Sequence, residues 1–269
     1  MLEYKRILFE NDEYVTTIKT PRRIFPSLYF YLLHVVRIVY CSNRQAAKNI
    51  YDDVKWVNSS IDIITGLEKT GVRLHVTGIN NIKKVEGPVI FVSNHMSILE
   101  TFVFPSLIHP IKKVVYVMKE ELTRFPLFGK VSSARDPIIV GRDNPREDLM
   151  TVLNGGSERI AKGKSVIIFP QRTRSDKFDQ AAFNTLGIKL AKRNNVPVIP
   201  VAIVTDAWGK GNLLKDFGRI DPNKEVKICF GEPITIKGNG NEEHQKTIEF
   251  ILNKFKEWGR NDLIATSEA

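Results

Sequence analysis

A histidine and a carboxylate stand close together in the segment NHMSILE (94–100), directly after a short apolar run. A neutral imidazole can take a proton from a hydroxyl as that hydroxyl attacks a carbonyl carbon. A carboxylate on the other ring nitrogen fixes the imidazole tautomer and stabilises the imidazolium that forms. The residue types therefore predict that His95 is a general base oriented by Glu100. No serine or cysteine nucleophile is needed if the substrate hydroxyl is itself the nucleophile.

The spacing of the pair restricts where a helix can begin. Residues five apart on one continuous helix point about 140° away from each other, so His95 and Glu100 cannot pair if both lie within it. Ser97 followed three residues later by Glu100 has the pattern of a capping box, which starts a helix and turns the glutamate back toward the entering chain. We therefore expect His95 to precede the helix and Glu100 to reach it from the first turn. A purely structural capping glutamate shares this geometry, and a lone histidine is commonly structural, so the spacing leaves that alternative open.

A second polar segment, FPQRTRS (169–175), also follows an apolar run directly. Guanidinium groups bind phosphate in a bidentate manner, and hydroxyls and turn amides add further donors. Arg172, Thr173 and Arg174 are therefore predicted to bind a phosphate, as is Arg142, which follows the apolar run 137–140. The alternative is an ordinary charged surface loop. Additional candidates close to these motifs are Asn94, Lys119, Gln171 and Ser175. No metal site is predicted.

The elements that must position these residues alternate between short apolar strands and helices. Strands are predicted over 72–76, 89–92, 114–118, 137–140, 165–169, 196–204 and 225–230, and helices over 97–107, 145–162, 184–193 and 242–258. This alternation predicts an α/β domain over 71–269, with a mixed, largely buried sheet flanked by helices. A histidine at the carboxyl end of a strand, before a helix, lies where open α/β sheets place their sites.

Residues 1–70 are predicted to form a two-helix motif that associates with a membrane. The aromatic-rich stretch 24–40 is apolar without interruption only up to His34, and Arg37 follows. A membrane-spanning helix needs roughly 20 apolar residues, so this stretch favours a helix that lies in the membrane interface. A buried core helix is the alternative. A second helix is predicted over 44–69, with Ser42 or Asn43 as its cap.

The overall charge favours an anionic partner. The chain has 40 basic and 30 acidic residues, for a formal net charge of +10. Phosphate-bearing substrates and anionic lipid head groups fit this excess, whereas nucleic acid is disfavoured because no recognisable binding module is present. Cys41 and Cys229 form no metal or redox pattern and predict two small buried thiols in a reducing compartment. No secretory signal is predicted.

At its motifs the chain resembles the 1-acylglycerol-3-phosphate acyltransferase family of lipid acyltransferases. NHMSILE, PIIVGR, FPQRTRS and VPVIPVAI occur in the family's order within residues 72–205. The resemblance implies acyl transfer from acyl-CoA or acyl carrier protein to a lysophospholipid hydroxyl, with no cofactor besides this co-substrate. His95 would be the base, Glu100 its orienting acid, and Arg142, Thr173 and Arg174 would surround the phosphate. It also implies a peripheral or monotopic protein at the cytoplasmic face of the cell membrane.

Three positions depart from the family pattern. Glu100 stands where the family has aspartate, Gln171 where it has glutamate, and Arg172 where it has glycine. The role of Arg172 therefore rests on its charge alone. If the family's glycine requires a positive φ, an arginine there is strained; otherwise it adds positive charge to the site. Lysophosphatidic acid is the expected acceptor. Another lysophospholipid, glycerol-3-phosphate, a lyso-aminolipid, or a non-catalytic peripheral lipid-binding protein stay open as alternatives.

Overall fold

The chain folds around one mixed sheet. The computed structural model describes residues 7–17, 24–126, 128–141, 143–211 and 217–265. The strands in these ranges are β1 (Glu13–Val15), β2 (Arg73–Thr77), β3 (Ile90–Ser93), β4 (Val114–Lys119), β5 (Ile138–Val140), β6 (Ser165–Ile168), β7 (Val198–Val204) and β8 (Glu225–Phe230). They form an eight-stranded sheet in the order β1-β2-β8-β7-β3-β6-β4-β5. The predicted α/β fold with a helix-flanked sheet is confirmed.

Most neighbouring strands of the sheet run parallel. β3 lies between β6 and β7 and is parallel to both, and β4 and β5 continue the parallel part. β8 is antiparallel to β7, and β1 is antiparallel to β2. All four residues of β3 are buried, as are all seven of β7, which explains their continuous apolar sequences. Because β3, β6 and β7 are parallel, the segments that follow them emerge at one edge of the sheet.

Helices cover both faces of the sheet. They are α1 (Pro26–Phe30), α2 (Val36–Ala47), α3 (Asp53–Glu68), α4 (Ile79–Lys83), α5 (Leu99–Ile108), α6 (Gly129–Ser133), α7 (Pro145–Ala161), α8 (Leu186–Asn194) and α9 (Asn241–Glu257), with 3₁₀ turns at Glu120–Arg124 and Asn261–Leu263. Asn144 caps α7 through a 3.1 Å bond from the Arg146 N–H, and Pro145 stands at its first position, as the sequence predicts. Along β3, Phe91 joins one hydrophobic core and Ile90 and Val92 join the other.

The predicted boundary between the two N-terminal helices is wrong. α1, a π-helical turn (Tyr31–Val35) and α2 form one continuous helix, called the N-terminal helix below, that runs through the predicted cap positions. It ends at Ala47, and Asn49 then adopts a left-handed conformation with φ of 56°. α3 begins only at Asp53, because the Asp52 carboxylate accepts the Lys55 N–H and caps it.

The N-terminal helix has a buried face and an exposed apolar face. Phe30, Val35, Val39 and Ala46 are buried in the core. Its outer face consists of the exposed residues Leu28, Leu32, Leu33, Val36 and Tyr40, together with Ile24 and Phe25, which lie just before the helix and are also exposed. Cys41 is also exposed, so the prediction that both thiols are buried is wrong for Cys41 and right for Cys229. None of the helices in the described ranges combines the length and the apolar character needed to cross a membrane.

The segment before the N-terminal helix contributes a strand that the sequence did not predict. β1 pairs antiparallel with β2, so part of the segment 1–70 belongs to the same sheet as the α/β domain. The buried carboxylate of Glu68 in α3 accepts hydrogen bonds from the Tyr14 and Thr16 hydroxyls, at 2.5 and 2.7 Å. These bonds hold β1 against α3.

Candidate active site

His95 and Glu100 form a hydrogen-bonded pair at the carboxyl edge of the sheet. His95 follows β3 and precedes α5, and Glu100 lies in the first turn of α5. The imidazole Nδ1 is 2.8 Å from the Glu100 Oε1. An ionised carboxylate only accepts hydrogen bonds, so Nδ1 carries the proton and Nε2 carries the lone pair. The His95 side chain is 15% exposed and that of Glu100 is fully buried, which leaves only the imidazole accessible to a substrate.

The helix behind the pair begins later than the capping box predicts. α5 starts at Leu99, with Ile98 in the cap position, and not after Ser97. The Ser97 hydroxyl accepts the Leu99 N–H at 3.1 Å, while the Ser97 N–H donates to the Glu100 Oε1 at 2.9 Å. The backward reach of the glutamate is therefore as predicted, although the start of the helix is shifted by one or two residues.

Several donors surround the buried carboxylate. Oε1 also accepts the Met96 N–H at 2.7 Å, and Oε2 accepts the hydroxyls of Ser97 at 3.0 Å and Thr205 at 2.8 Å. Burial acts to raise the pKa of Glu100, but the hydrogen bonds from His95, the backbone and Thr205 outweigh it and hold the pKa below its ordinary value. The carboxylate is therefore ionised at neutral pH and can stabilise a positive charge on the imidazole.

The segment that follows β6 packs directly against His95. The Phe169 ring stacks on the imidazole, with ring centres 4.1 Å apart and an angle of 15° between the planes. The Gln171 Oε1 accepts the His95 N–H at 2.7 Å, and the Ser175 N–H donates to the His95 carbonyl at 2.9 Å. Because β3 and β6 are adjacent and parallel, two motifs that are distant in sequence meet at His95.

The other predicted site residues lie at different positions around this edge. Arg172 and Thr173 are exposed and Arg174 is half-buried, all within the segment that contacts His95. The described non-glycine residues with positive φ do not include Arg172, so its replacement of the family's glycine brings no left-handed strain. Lys119 ends β4, and its ammonium is 3.0 Å from the Glu121 carboxylate. Arg142 lies outside the described residues.

Asn94 joins two strands at the site. Its side chain is buried, accepts the Ile203 N–H at 2.9 Å and donates to the Ile203 carbonyl at 3.0 Å. These two bonds continue the contact between β3 and β7 beyond the end of β3. Asn94 therefore sets the backbone position from which His95 projects.

Sequence reasoning missed two residues that contact the pair. Thr205 is the first polar residue after the predicted strand 196–204, so the rule that identified His95 at a strand end would also have found it. The sequence predicts that Phe169 ends a strand, and no local pattern indicates that its ring stacks on a histidine. In the described part of the chain, no three His, Cys, Asp or Glu side chains are grouped so that they could hold a metal ion.

Comparison with known proteins gives related sequences and a related fold. Residues 73–204 match the family model described as Acyltransferase. A 1-acyl-sn-glycerol-3-phosphate acyltransferase from Pseudomonas aeruginosa is 34% identical over 171 residues, which cover 63% of this chain and 62% of the relative. A chloroplastic enzyme of the same name from Brassica napus is 28% identical over 160 residues, covering 59% and 44%. The match thus spans less than two thirds of either relative's length.

A solved structure shares the architecture. The crystal structure of the 1-acyl-sn-glycerophosphate acyltransferase from Thermotoga maritima superimposes with a TM-score of 0.59 at 22% identity. The superposition covers 87% of this chain and 95% of that one, so the likeness in fold extends beyond the matched family segment.

Proposed function

We propose that this chain moves a fatty acyl group from a thioester donor to the free hydroxyl of 1-acylglycerol-3-phosphate, giving phosphatidic acid, because residues 73–204 match the family model described as Acyltransferase. The observation that carries the proposal is the His95–Glu100 pair, in which Nδ1 is 2.8 Å from a buried, ionised carboxylate. The names of the relatives from Pseudomonas aeruginosa and Brassica napus support 1-acylglycerol-3-phosphate as the acceptor.

In the proposed reaction His95 acts as the general base. Its Nε2 takes the proton from the acceptor hydroxyl while the hydroxyl oxygen attacks the thioester carbonyl carbon. The new C–O bond forms, the C–S bond breaks, and the proton passes from Nε2 to the leaving sulfur. Glu100 stays ionised throughout, holds Nδ1–H and stabilises the imidazolium. A base positioned in this way contributes roughly 10²–10⁴-fold to the rate.

The phosphate of the acceptor is proposed to bind beside the base, on the segment after β6. Thr173 and Arg174 match the family motif, and Arg172 adds a second guanidinium to the same segment. That segment contacts His95 through Phe169 and Gln171. Arg142 is proposed as a further phosphate ligand on sequence grounds alone. Acyl-CoA and acyl carrier protein both present a thioester, so either serves the proposed chemistry, and no cofactor is proposed.

We also propose that the chain works as a peripheral or monotopic protein at the cytoplasmic face of the cell membrane. The exposed apolar face of the N-terminal helix supports this, since large exposed apolar patches mark sites that bind proteins or membranes. Arg37 and Arg44 are exposed on the same helix and suit anionic head groups. The proposed substrates are themselves membrane lipids.

The test is acyl transfer by the purified full-length chain in mixed micelles, with acyl-CoA or acyl carrier protein as donor. Wild type is expected to acylate lysophosphatidic acid, and His95→Ala to lose about 10²-fold or more of kcat. His75→Ala is the matched control, because His75 lies on β2 and pairs with Glu13. Equal rates for wild type and His95→Ala would contradict the mechanism.

A panel of acceptors tests the substrate. It contains lysophosphatidic acid, lysophosphatidylcholine, glycerol-3-phosphate and a lyso-aminolipid. A preference for any but the first would reassign the acceptor. Liposome binding without turnover of any acceptor would instead indicate a non-catalytic lipid-binding protein.

A further inference from the structure

The hydroxyl of Thr205 contacts the buried carboxylate on the side away from the base. Oε1 of Glu100 faces His95, whereas Oε2 is 2.8 Å from the Thr205 hydroxyl. Thr205 is fully buried and stands 105 positions after Glu100 in the sequence. It also lies one residue beyond the segment that matches the family model, which ends at residue 204.

Counting hydrogens makes Thr205 the main side-chain donor to Oε2. A hydroxyl has one hydrogen to donate. The Ser97 hydroxyl lies within reach of three acceptors, namely the Glu100 Oε2 at 3.0 Å, the Thr205 Oγ1 at 3.1 Å and the Thr205 carbonyl at 3.2 Å. Its single hydrogen can satisfy only one of them well. The Thr205 hydroxyl forms the shorter bond and is directed to the carboxylate alone.

The backbone that carries Thr205 is held on both sides. Thr205 follows β7, and its carbonyl accepts the Trp208 N–H at 3.2 Å. The next residue, Asp206, is bound by Arg260 and by Lys224, each at 2.9 Å. The hydroxyl therefore has a defined position before any substrate arrives.

We propose that Thr205 is a positioning residue for the base and acts through Glu100. Its hydrogen bond favours the ionised carboxylate and keeps Oε1 directed at the Nδ1 of His95. Without the hydroxyl, the carboxylate is less stabilised, so the His95–Glu100 pair holds an added proton more tightly. The imidazole is also less firmly oriented. This role rests on the proposed function.

The experiment compares Thr205→Val, which keeps the shape and removes the hydroxyl, with Thr205→Ser, which keeps the hydroxyl. Thr205→Val is expected to lower kcat for lysophosphatidic acid about tenfold, the loss of one hydrogen bond to a charged group. The acidic limb of its pH profile of kcat/KM should move to higher pH. Thr205→Ser should resemble wild type in both respects.

Thr247→Val is the matched control. Thr247 is equally buried, and its hydroxyl donates to the Glu243 carbonyl within α9 at 2.8 Å, away from the site. This variant should leave the acidic limb unchanged. A fall in kcat for Thr205→Val without any movement of the limb would mean a merely structural role and overturn the proposal. If Thr205→Val does not fold, Thr205→Ala is compared with Thr205→Ser in the same way.

Nitrogen NMR of ¹⁵N-histidine-labelled protein measures the tautomer of His95 and does not require turnover. The His95 signals are assigned by their loss in His95→Ala. Wild type should show one tautomer with the proton on Nδ1, and Thr205→Val should show a mixture of the two tautomers. If wild type transfers no acyl group, the proposed function fails and this measurement alone decides the role of Thr205. Identical spectra for wild type and Thr205→Val would overturn it.

Discussion

At the scale of single residues, the Glu100 carboxylate binds both the backbone and the His95 side chain. It accepts hydrogen bonds from the Met96 and Ser97 N–H groups just before α5 and from the Nδ1–H of His95. The two interpretations of Glu100 that its sequence pattern permits, a capping group and an orienting acid, are therefore compatible with one geometry. Full burial makes each bond important, because a buried ionised group without partners is costly.

Glu100→Gln tests this double role. The amide NH₂ would face N–H donors, so we expect kcat to fall about 10²-fold or more. Because buried donors lose their acceptor, the free energy of unfolding should also fall, by about 1–3 kcal/mol. Glu100→Asp keeps the charge and should retain more activity than Glu100→Gln. Equal losses in the two variants would contradict an ionic role for the carboxylate.

The pH dependence of stability gives an independent measure of Glu100. Its pKa in the folded protein is lowered, so its contribution to stability is complete above the unfolded value of about 4.3. The contribution is lost as the pH falls through the lowered value of the folded state. Urea unfolding from pH 3 to 7 should therefore show a smaller acid-dependent loss for Glu100→Gln than for wild type.

Gln171 shows why a departure from the family motif is compatible with the site. An amide oxygen is sufficient to accept the His95 N–H at 2.7 Å, so replacing the family's glutamate keeps this bond. The replacement removes a negative charge next to His95. Together with the exposed, unstrained Arg172, it makes the segment after β6 more positive than the family pattern, which suits an anionic acceptor.

At the scale of elements, a charged cluster joins the helices behind the site. Asp53 begins α3 and forms an ion pair with Arg135, which follows α6 and also lies over the Trp56 ring at 4.6 Å. His109 follows α5 and is buried against the same carboxylate. The cluster holds the far end of α5, the helix that carries Glu100.

His109 should make stability fall in mild acid. Its Nδ1 accepts the Val114 N–H at 3.2 Å, and its Nε2 is 3.3 Å from the Asp53 Oδ1 without hydrogen-bond geometry. Burial lowers the pKa of His109 despite the nearby carboxylate. A lowered histidine pKa means that stability is complete above the unfolded value of about 6.5 and is lost as the pH falls through the folded value.

The measurement is thermal unfolding of wild type and His109→Gln between pH 5 and 8. The loss of stability below about pH 6.5 should be smaller in the variant. His34 and His244 also have lowered pKa values through burial and titrate in the same direction, so the difference between the two proteins is the quantity of interest. Parallel pH curves would show that His109 does not contribute.

At the scale of the whole molecule, an aromatic cluster packs between the N-terminal helix and α5. On the inner side of the N-terminal helix, Phe30 and Tyr31 pack edge-on against Trp208, with ring centres 5.1 and 5.8 Å apart. Trp208 also stacks on Phe102 of α5. The Trp208 side chain is therefore the layer that separates the N-terminal helix, with its proposed membrane face, from α5, the helix that carries Glu100.

The double variant Leu32→Asp/Leu33→Asp tests membrane binding. Each large apolar side chain that leaves water contributes about 1.5–3 kcal/mol, so we expect at least a tenfold loss of binding to anionic liposomes in flotation assays. Ile139→Asp is the control, because Ile139 is comparably exposed but lies on β5. Unchanged flotation of the double variant would contradict the proposed membrane face. The folded state is checked by circular dichroism.

The sequence by itself determined those features that depend on neighbours along the chain. Apolar runs and their polar ends predicted the α/β fold and most strands, as well as the strand-end positions of His95 and of the segment 169–175. The five-residue spacing predicted that Glu100 reaches back to His95, because the first turn of a helix is set by local backbone geometry. Asn144 and Pro145 predicted the start of α7 for the same reason.

Tertiary structure decided which of the polar segments at the strand ends lie next to one another. Only the strand order places β3 between β6 and β7, and only that order brings Phe169, Gln171 and Thr205 to the His95–Glu100 pair. It also decided that β1 joins the sheet and that the N-terminal helix runs through Ser42 and Asn43 to Ala47. Bonds between residues 76 and 105 positions apart depend on packing between elements, which local periodicity does not encode.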